Sequence, residues 1–557
     1  MSKYRYILTM GLLCSAVLCN DLTIQTAYAL AQSTAHNGSN AKAVHALGET
    51  GDGVNVGLIT ARNALATHEA FYDKDVNGAP TGSTHLFNYD YSGSGISDSD
   101  HDTFVAGIVS SRGGISRPNY TGAAPGADVY CARVIDDYDS ITFPWLNNAL
   151  KALITQHNCR AIATGFSFGT ILAPDGDSDW TLLYDYYAYN YNVIFANGAG
   201  NEDTQLAVFG DAYNGITTGG LRVTEADVYE RVGSISGSGP TADYRSKPDI
   251  TAPSQNQTVP TNTSDTSWFT WLSSYGHTSL SMPHTAGVAA LLFGLADDTL
   301  NTDDNQNEVI KAVIINSAFP NIDDKSGAST NPADSNNVWH EDRGFGRIDA
   351  LRAYELLDSN EISTGVTITQ PKGWSYSPLP LLTYHSYTIQ VSERCRLVAT
   401  LAWDRRIQWT DNSPHNGTIN EGELHPYLAD LDMEIYEPNN ATPIFDKLAF
   451  GYDPDDNTIK ADLLLTNSGQ YTIKVVNNSA GESTNYGLAF ELLSFIPADF
   501  DFDYIVDYND LAEIADNWLQ LPPSLDIDLF SDGFIDFKDF AVFAEYWLNS
   551  IPAYYNE

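Results

Sequence analysis

The most informative stretch of this chain is Gly276-His277-Thr278-Ser279-Leu280-Ser281-Met282-Pro283-His284-Thr285-Ala286-Gly287. Its pattern predicts a serine at the start of a helix. The unpaired backbone N–H groups and the positive dipole end of a helix start suit a serine oxygen that attacks and a neighbouring oxyanion that must be held. Ser279 is therefore the first candidate catalytic residue.

Around this stretch, short apolar strands alternate with helical patterns from about residue 51 to 358, which predicts an α/β domain with a mainly parallel sheet. The predicted strands are 54–59, 128–135, 161–168 and 193–196, and the predicted helices include 145–156, 281–296, 309–317 and 348–357. Active sites of such sheets gather at the carboxyl ends of strands and at facing helix starts. Four candidate site residues fall there: Thr60, His101, Asn201 and Ser279.

Seven short motifs follow one another in the order typical of a known enzyme family. They are 53–59 (GVNVGLI), 101–107 (HDTFVAG), Ser167-Phe168-Gly169, 198–201 (GAGN), 247–253 (KPDITAP), 278–284 (TSLSMPH) and 344–350 (GFGRIDA). Together they resemble the subtilisin-like serine peptidases, or subtilases, whose histidine and serine motifs read HGTHVAG and TSMASPH. The resemblance implies a three-layer α/β peptidase domain, which we place at residues 36–358.

The resemblance also implies roles for individual residues. Ser279 would be the nucleophile, and His101 would be the general base that takes its proton. Asn201 and the backbone N–H of Ser279 would hold the oxyanion. The backbone of residues 167–169 would pair with an extended substrate chain as an added strand. A helix-start serine alone is usually a cap, but its occurrence together with the other two residues favours the catalytic interpretation.

The aspartate of the family triad is absent from its expected place. The pattern DTG should end the first strand, where this chain reads Ile59-Thr60-Ala61-Arg62, so Thr60 occupies the position. A threonine hydroxyl can hold a ring N–H of the histidine but brings no charge. Loss of this aspartate in subtilisin lowers turnover by about 10⁴-fold, while catalysis of about 10³- to 10⁴-fold over water survives. Thr60 is therefore consistent with a slow enzyme and with an inactive one.

Three nearby carboxylates, Asp98, Asp100 and Asp102, are candidates to replace the missing aspartate. A residue adjacent to the base rarely reaches its far ring nitrogen, so we expect a solvated acidic loop instead. Arg62 would disfavour a protonated His101 if its charge points inward.

Other departures from the family pattern also bear on activity. His277 replaces a glycine two residues before the nucleophile, where its side chain would crowd the oxyanion pocket, and Phe104 replaces the second histidine of the HGTHVAG motif. Only about twenty residues separate Ala29 from Gly51, too few for the folded pro-segment that subtilases usually carry. A short segment fits a protein with no activity to restrain.

After residue 358 the pattern changes to strands separated by turns, which predicts an antiparallel β-sandwich over residues 362–495. The predicted strands are 387–391, 396–403, 432–435, 461–465, 471–476 and 486–492. We expect its aromatic residues to form a core. The charged stretch 404–425 is either a recognition edge or a solvated hairpin.

The tail, residues 497–550, contains an internal repeat of carboxylates with the spacing of calcium-binding loops, each followed by a helical pattern. The predicted metal ligands are Asp499, Asp501, Asp503, Asp507 and Asp510 in the first loop, and Asp528, Asp532, Asp536 and Asp539 in the second. This repeat resembles a dockerin, a duplicated module that binds Ca²⁺ and a cohesin-domain protein. Tyr504 replaces the turn glycine and Phe530 replaces a ligand, which predicts reduced calcium affinity. The alternative is a small helical cap that binds metal poorly or not at all.

The N-terminus has the layout of a secretory signal peptide over residues 1–29. Lys3 and Arg5 precede the apolar run 6–18, and a small-x-small pattern ends at Ala29. We expect cleavage after Ala29, a secreted extracellular protein, and no later stretch apolar enough to span a membrane. The cysteines that remain are an odd number, so we expect buried free thiols and no disulfide framework: Cys131, Cys159 and Cys395.

Length and composition agree with several folded domains. The 557 residues exceed what one hydrophobic core usually supports. Hydrophobic residues make up 43% and charged residues only 18%, which argues against a disordered chain. The formal net charge of −43 disfavours nucleic acid and anionic membranes as partners. Calcium binding or salt tolerance would also fit this charge, but an acidic, soluble surface is the more common explanation.

Two functions from different classes follow. The first is a secreted endopeptidase that acts on polypeptides through an acyl-enzyme on Ser279, because His101, Asn201 and Ser279 are all retained; no cofactor is expected for the chemistry itself. The second is a catalytically inactive pseudopeptidase that binds extended peptides and is recruited to a cohesin-bearing assembly, because Thr60 and His277 depart from the family. A carbohydrate enzyme carried by a dockerin has no paired-carboxylate motif to support it.

Overall fold

The protein is described from a computed structural model. The described residues are 32–95, 97–167, 172–224, 228–273, 275–330, 338–410, 424–479, 481, 483–494, 496–500, 506, 508–519, 527–530 and 533–547. The predicted signal peptide, residues 1–29, lies outside them.

The first part of the chain alternates strands and helices. Its strands are β1 (Asn55–Thr60), β2 (Asp73–Lys74), β3 (Pro80–Thr81), β4 (Leu86–Asp90), β5 (Arg112–Gly114), β6 (Arg117–Thr121), β7 (Asp128–Arg133), β8 (Cys159–Thr164), β9 (Ile194–Gly198), β10 (Ile216–Arg222), β11 (Arg231–Val232), β12 (Ile250–Pro253), β13 (Gln257–Pro260) and β14 (Trp268–Trp271). Its helices are α1 (Ala41–Ala46), α2 (Asp100–Ser110), α3 (Phe143–Thr155), α4 (Asp179–Tyr191), α5 (Thr278–Asp297), α6 (Asn307–Asn316) and α7 (Ala350–Leu357), with a short 3₁₀ turn at Glu69–Phe71.

The central sheet has the strand order β11-β10-β9-β8-β1-β7-β4, with β12 beside β10. All pairs except β10–β11 are parallel. Strand β1 reads as a nearly continuous buried run, as a parallel strand covered on both faces requires. The predicted α/β domain with a mainly parallel sheet is confirmed. The carboxyl ends of its parallel strands lie at the same edge of the sheet.

Helix α5 passes through the centre of this domain. It is long and apolar enough to cross a membrane by length and composition, contrary to the prediction that no stretch after residue 29 is apolar enough to do so. However, 94% of its most apolar window is buried inside the protein. His284 on this helix is fully buried, and burial lowers its pKa to about 3, so it is a neutral core residue. We therefore interpret α5 as a core helix.

The second part of the chain consists of strands. They are β15 (Thr367–Ile368), β16 (Lys372–Leu379), β17 (Tyr384–Val391), β18 (Cys395–Ala402), β19 (Arg406–Trp409), β20 (Leu424–Tyr427), β21 (Leu431–Tyr436), β22 (Pro443–Asp446), β23 (Thr458–Leu465), β24 (Gly469–Asn477) and β25 (Thr484–Ser494). They form a five-stranded sheet, β15-β17-β24-β21-β22, and a four-stranded sheet, β16-β25-β18-β23, with an additional β19–β20 pair.

The two larger sheets contact each other through buried side chains. Tyr387 on β17 and Tyr486 on β25 approach within 2.6 Å through their hydroxyl oxygens, and Ser375 on β16 adds a contact of 2.9 Å to the Tyr387 hydroxyl. All ladders of these sheets are antiparallel except β15–β17. These two packed, mainly antiparallel sheets correspond in part to the predicted β-sandwich.

The tail contains helices α8 (Tyr508–Asp516) and α9 (Phe537–Tyr546). Four of its predicted metal ligands lie outside the described residues: Asp501, Asp503, Asp507 and Asp532. Of the others, Asp510 accepts the Phe500 N–H at 2.5 Å, and Asp539 accepts the N–H groups of Phe530 and Asp536 at 2.9 and 2.8 Å. Within the described part of the chain, no three His, Cys, Asp or Glu side chains form a group that could hold a metal ion.

The thiols of Cys131, Cys159 and Cys395 are all buried and free, as expected. Burial raises the pKa of the Cys131 thiol well above its usual range, so it is not a reactive thiolate.

Candidate active site

Ser279 lies in the first turn of α5, which begins at Thr278, three residues before the predicted start of that helix. The chain enters the helix through Gly276, whose φ is +86°. A Cβ atom at Gly276 would lie 2.6 Å from the Gly233 Cα atom. Only glycine fits this turn, because both the backbone conformation and the close neighbour exclude a side chain. The turn fixes the position of Ser279 relative to the sheet.

A cavity of about 260 Å³ brings the predicted catalytic residues together. It lies where the carboxyl ends of β8 and β9 face the start of α5. Its lining residues are His101, Thr164, Gly165, Phe166, Ser167, Gly198, Asn201, Phe209, Thr278, Ser279 and Met282. The candidate nucleophile, base and oxyanion amide thus line one cavity.

Asn201 is held to the helix start through its amide oxygen. Its Oδ1 accepts the Thr278 N–H at 2.9 Å and the Thr278 hydroxyl at 3.3 Å. The hydroxyl oxygen of Thr278 in turn accepts the Gly200 N–H at 3.2 Å. Because Oδ1 is engaged as an acceptor, the Nδ2 group of Asn201 is the part that can donate to an oxyanion above Ser279.

His101 lies in the first turn of α2 and is partly exposed, at 42% of its side-chain surface. Its ring packs against Phe104, with 5.8 Å between the ring centroids. Phe104 also contacts Trp271 on β14, at 6.0 Å between centroids. Phe104, which replaces the second histidine of the family motif, therefore packs against the ring of His101.

Asp102 differs from the solvated loop residue that the sequence predicted. Asp98 and Asp100 are exposed, but only 1% of the Asp102 side chain is accessible. Its Oδ1 atom lies 3.6 Å from Nδ1 of His101. The prediction was wrong for Asp102 because the side chain turns inward at the start of α2, beneath the histidine ring.

Thr60 ends β1, as predicted, and is fully buried. Its hydroxyl has no hydrogen-bond partner among the described residues, so it does not hold the His101 ring as the sequence analysis suggested. The neighbouring Arg62 directs its guanidinium outward to Asp139, at 3.0 Å. The positive charge of Arg62 is thus paired at the surface and does not point towards His101.

His277 turns towards aromatic side chains. Its ring centroid lies 5.3 Å from that of Trp271 and 6.4 Å from that of Tyr275. Burial, followed by the nearby His101, lowers the pKa of His277. It is not among the residues that line the cavity, so the expected crowding of the oxyanion pocket is not observed.

The predicted substrate-binding segment is only partly described. Ser167 is exposed and lines the cavity, whereas Phe168 and Gly169 lie outside the described residues. The sequence did not predict Phe166 and Phe209 as lining residues of the cavity. Their rings pack edge to face, with 6.1 Å between the ring centroids. Phe166 directly precedes a motif and was therefore accessible to prediction, but Phe209 belongs to none of the quoted motifs.

Comparison with known proteins identifies the family. Residues 52–347, more than half of the chain, match the model of the subtilase family, Peptidase_S8. The chain therefore belongs to the subtilases.

The chain is similar to subtilisin E of Bacillus subtilis (strain 168), with 27% identity over 270 residues, 48% of this chain and 62% of the relative. Subtilisin of Bacillus pumilus is 26% identical over 254 residues, which are 45% of this chain and 81% of the relative. The chain thus spans less than two thirds of subtilisin E. Among solved structures, the prenylagaramide maturation protease PagA is similar with a TM-score of 0.42 and 20% identity, over 57% of this chain and 98% of that chain.

Proposed function

We propose that the protein is a secreted subtilisin-like serine endopeptidase that hydrolyses peptide bonds through an acyl-enzyme on Ser279. The observation that carries this proposal is the cavity in which His101, Asn201 and Ser279 meet at the start of α5. Family membership supports hydrolysis of peptide bonds, and the layout of residues 1–29 supports secretion.

In the proposed reaction, Ser279 Oγ attacks the substrate carbonyl carbon while His101 takes the hydroxyl proton. Asn201 Nδ2 and the Ser279 N–H stabilise the negative charge on the carbonyl oxygen. His101 then protonates the leaving amine, and water hydrolyses the acyl-enzyme by the same steps in reverse order. Thr60 supplies no charge to the base, so we expect slower turnover than in subtilases with an aspartate at that strand end.

Hydrolysis of a fluorogenic peptide library tests this function. The wild type should release fluorophore, and Ser279→Ala should fall to background, because no other group can form the acyl-enzyme. Ser281→Ala is a matched control, since Ser281 lies on the same helix, is fully buried and donates to the Thr278 carbonyl. Equal rates for the wild type and Ser279→Ala would reject the proposal.

The alternative is a pseudopeptidase that binds extended peptides without cleaving them. Thr60 favours it, because the residue at the end of β1 brings no carboxylate. For this alternative we expect the same peptide affinity in the wild type and Ser279→Ala, measured by fluorescence anisotropy, with no cleavage in either.

For the tail we propose a dockerin-like module that binds Ca²⁺ and a cohesin-domain partner. The repeated aspartate spacing supports it, and Tyr504 and Phe530, which depart from the loop pattern, lead us to expect weak calcium binding. Calcium titration followed by circular dichroism should change the helical signal. An unchanged spectrum would remove calcium from the proposal.

A further inference from the structure

We propose that Asp102 replaces the missing strand-end aspartate: its buried carboxylate orients the His101 ring and stabilises the positive charge that the ring acquires. Asp102 is a positioning residue, because it acts through His101 and does not touch the substrate. The inference rests on the proposed function, since an oriented base has a role only if Ser279 is acylated.

The carboxylate of Asp102 is fixed on one side. Its Oδ2 atom accepts the Arg62 N–H at 2.9 Å and the Ser99 hydroxyl at 2.8 Å. Ser99 also caps α2 by accepting the Asp102 N–H at 3.0 Å. These contacts fix the orientation of the carboxylate at the start of α2.

The other oxygen, Oδ1, is directed at the base. It is buried without a hydrogen-bond partner and lies 3.6 Å from Nδ1 of His101. A buried carboxylate oxygen without a donor is costly, and the Nδ1–H group of His101 is the donor placed to satisfy it. Catalytic hydrogen bonds are often long in the absence of substrate and shorten in the complex. A small rotation of the exposed ring would close this contact.

Gly165, at the end of β8, lies beside both groups: an ideal Cβ atom there would be 3.5 Å from Asp102 Oδ1 and 4.0 Å from His101 Cε1, which are ordinary van der Waals distances. Relative to the family motifs, this chain lacks a carboxylate at Thr60 and has an additional one at Asp102, where the HGTHVAG motif has a glycine. The second change compensates for the first.

The chemistry balances without any further group. The Ser279 hydroxyl proton moves to Nε2 of His101, and Nδ1–H remains bonded to the Asp102 carboxylate. The imidazolium returns the proton to the leaving amine. Asp102 is never protonated in the cycle, and its negative charge offsets the charge that develops on the ring.

Kinetics of variants test the role of Asp102. Asp102→Asn should lower kcat by about 10²- to 10⁴-fold, with KM changed by no more than about threefold. The double variant Thr60→Asp/Asp102→Gly returns a carboxylate to the strand end, and its kcat should be at least about tenfold higher than that of Asp102→Asn. A merely structural role for Asp102 would not give this recovery. Asp100→Asn, at the exposed neighbouring position, should keep full activity. A wild-type value of kcat for Asp102→Asn would overturn the proposal.

A spectroscopic readout separates this inference from the proposed function. In Ser279→Ala, which needs no activity, ¹⁵N-histidine NMR at acidic pH should show a far-downfield proton for the hydrogen-bonded Nδ1–H group, assigned by its loss in His101→Ala. The signal should disappear when Asp102→Asn is added. If the wild type cleaves no peptide but this signal behaves as expected, the proposed function fails and the Asp102–His101 contact stands. Absence of the signal in Ser279→Ala, or its persistence with Asp102→Asn, overturns the inference.

Discussion

Asn201 contributes to the site through both ends of its amide group. Its oxygen binds the start of α5 through Thr278, which leaves its nitrogen to face the carbonyl oxygen of a substrate. In the proposed reaction the oxyanion site is therefore formed before substrate binds. The hydroxyl of Thr278 also accepts the Gly200 N–H, which links the loop of Asn201 to the start of α5.

Removal of this amide gives a prediction at the scale of one residue. Asn201→Ala should lower kcat by about 10²- to 10³-fold and leave KM nearly unchanged, because the lost hydrogen bond forms fully only in the transition state. Asn190→Ala on the exposed face of α4 is a suitable control. Steady-state kinetics on one peptide substrate measure both variants; an effect on KM alone would contradict the role of Asn201.

Ser279, His101 and Asn201, which line one cavity, could be proposed from the sequence because each lies in a motif that resembles one of the family. The sequence prediction failed for Asp102 because adjacency along the chain does not specify the direction of a side chain. That direction depends on Ser99 and on the Arg62 N–H, a backbone group 40 residues away in the chain. The Ser99 contact is local, three residues away, but no local pattern in the sequence indicates the contact with the Arg62 N–H.

At the scale of elements, the loop before α5 determines where the nucleophile stands. Gly276 has a left-handed conformation and packs against Gly233, and the Gly220 carbonyl oxygen is also close to its Cβ position, at 3.1 Å. Three glycines from three segments thus meet beneath the active site. Their contact lets the loop sit close to the end of β10.

Gly276→Ala should therefore disturb both stability and activity. The methyl group meets backbone atoms that cannot rotate away, in addition to a strain of about 1–2 kcal/mol for the left-handed conformation. Gly82→Ala is a matched control, because Gly82 has a φ of +71° and open space around its Cβ position. Urea unfolding should show that Gly276→Ala lowers the free energy of unfolding more than Gly82→Ala does. Gly276→Ala should also lower kcat. Equal losses would show that steric contact at Gly276 is unimportant.

The element pattern itself was largely predictable. The hydrophobic run predicted as strand 54–59 is β1, and the helical run 281–296 lies within α5. Strand β8 ends at Thr164, four residues before the predicted end, because Gly165 begins the turn that lines the cavity. Periodicity locates elements whose faces are buried, whereas their ends depend on contacts with other segments.

At the scale of the whole molecule, the peptidase region and the sandwich share one hydrophobic core. Helix α6 packs on β25 and β18, and its apolar residues belong to the same buried cluster as those strands. Gly487 on β25 permits this approach, since a Cβ atom there would lie 2.3 Å from the Glu308 carbonyl oxygen. Buried ion pairs also cross the junction, as between Arg405 and Asp185 at 2.7 Å. We expect the two regions to unfold together.

Asp456 makes the stability of this junction depend on pH. Its carboxylate accepts the Ser246 N–H at 2.7 Å and the Ser246 hydroxyl at 2.9 Å, and burial raises its pKa to about 6 from an ordinary value of 3.8. Between those values the folded state holds a proton that the unfolded state has lost, so stability decreases as pH rises from about 4 to about 6.

Asp456→Asn removes this titration. Between pH 4 and pH 7 the free energy of unfolding of the wild type should fall by about 2 kcal/mol relative to that of Asp456→Asn. Urea unfolding at several pH values measures it. A difference that does not change with pH would contradict the raised pKa of Asp456.

The most direct test of the central claim is labelling with a fluorophosphonate probe followed by mass spectrometry of the tryptic peptides. The proposed function requires one adduct, on Ser279, formed by the wild type, absent in Ser279→Ala and formed no more slowly in Thr60→Asp. If the folded wild type remains unlabelled while Thr60→Asp becomes labelled, the native protein is not an active serine peptidase and the central claim is wrong.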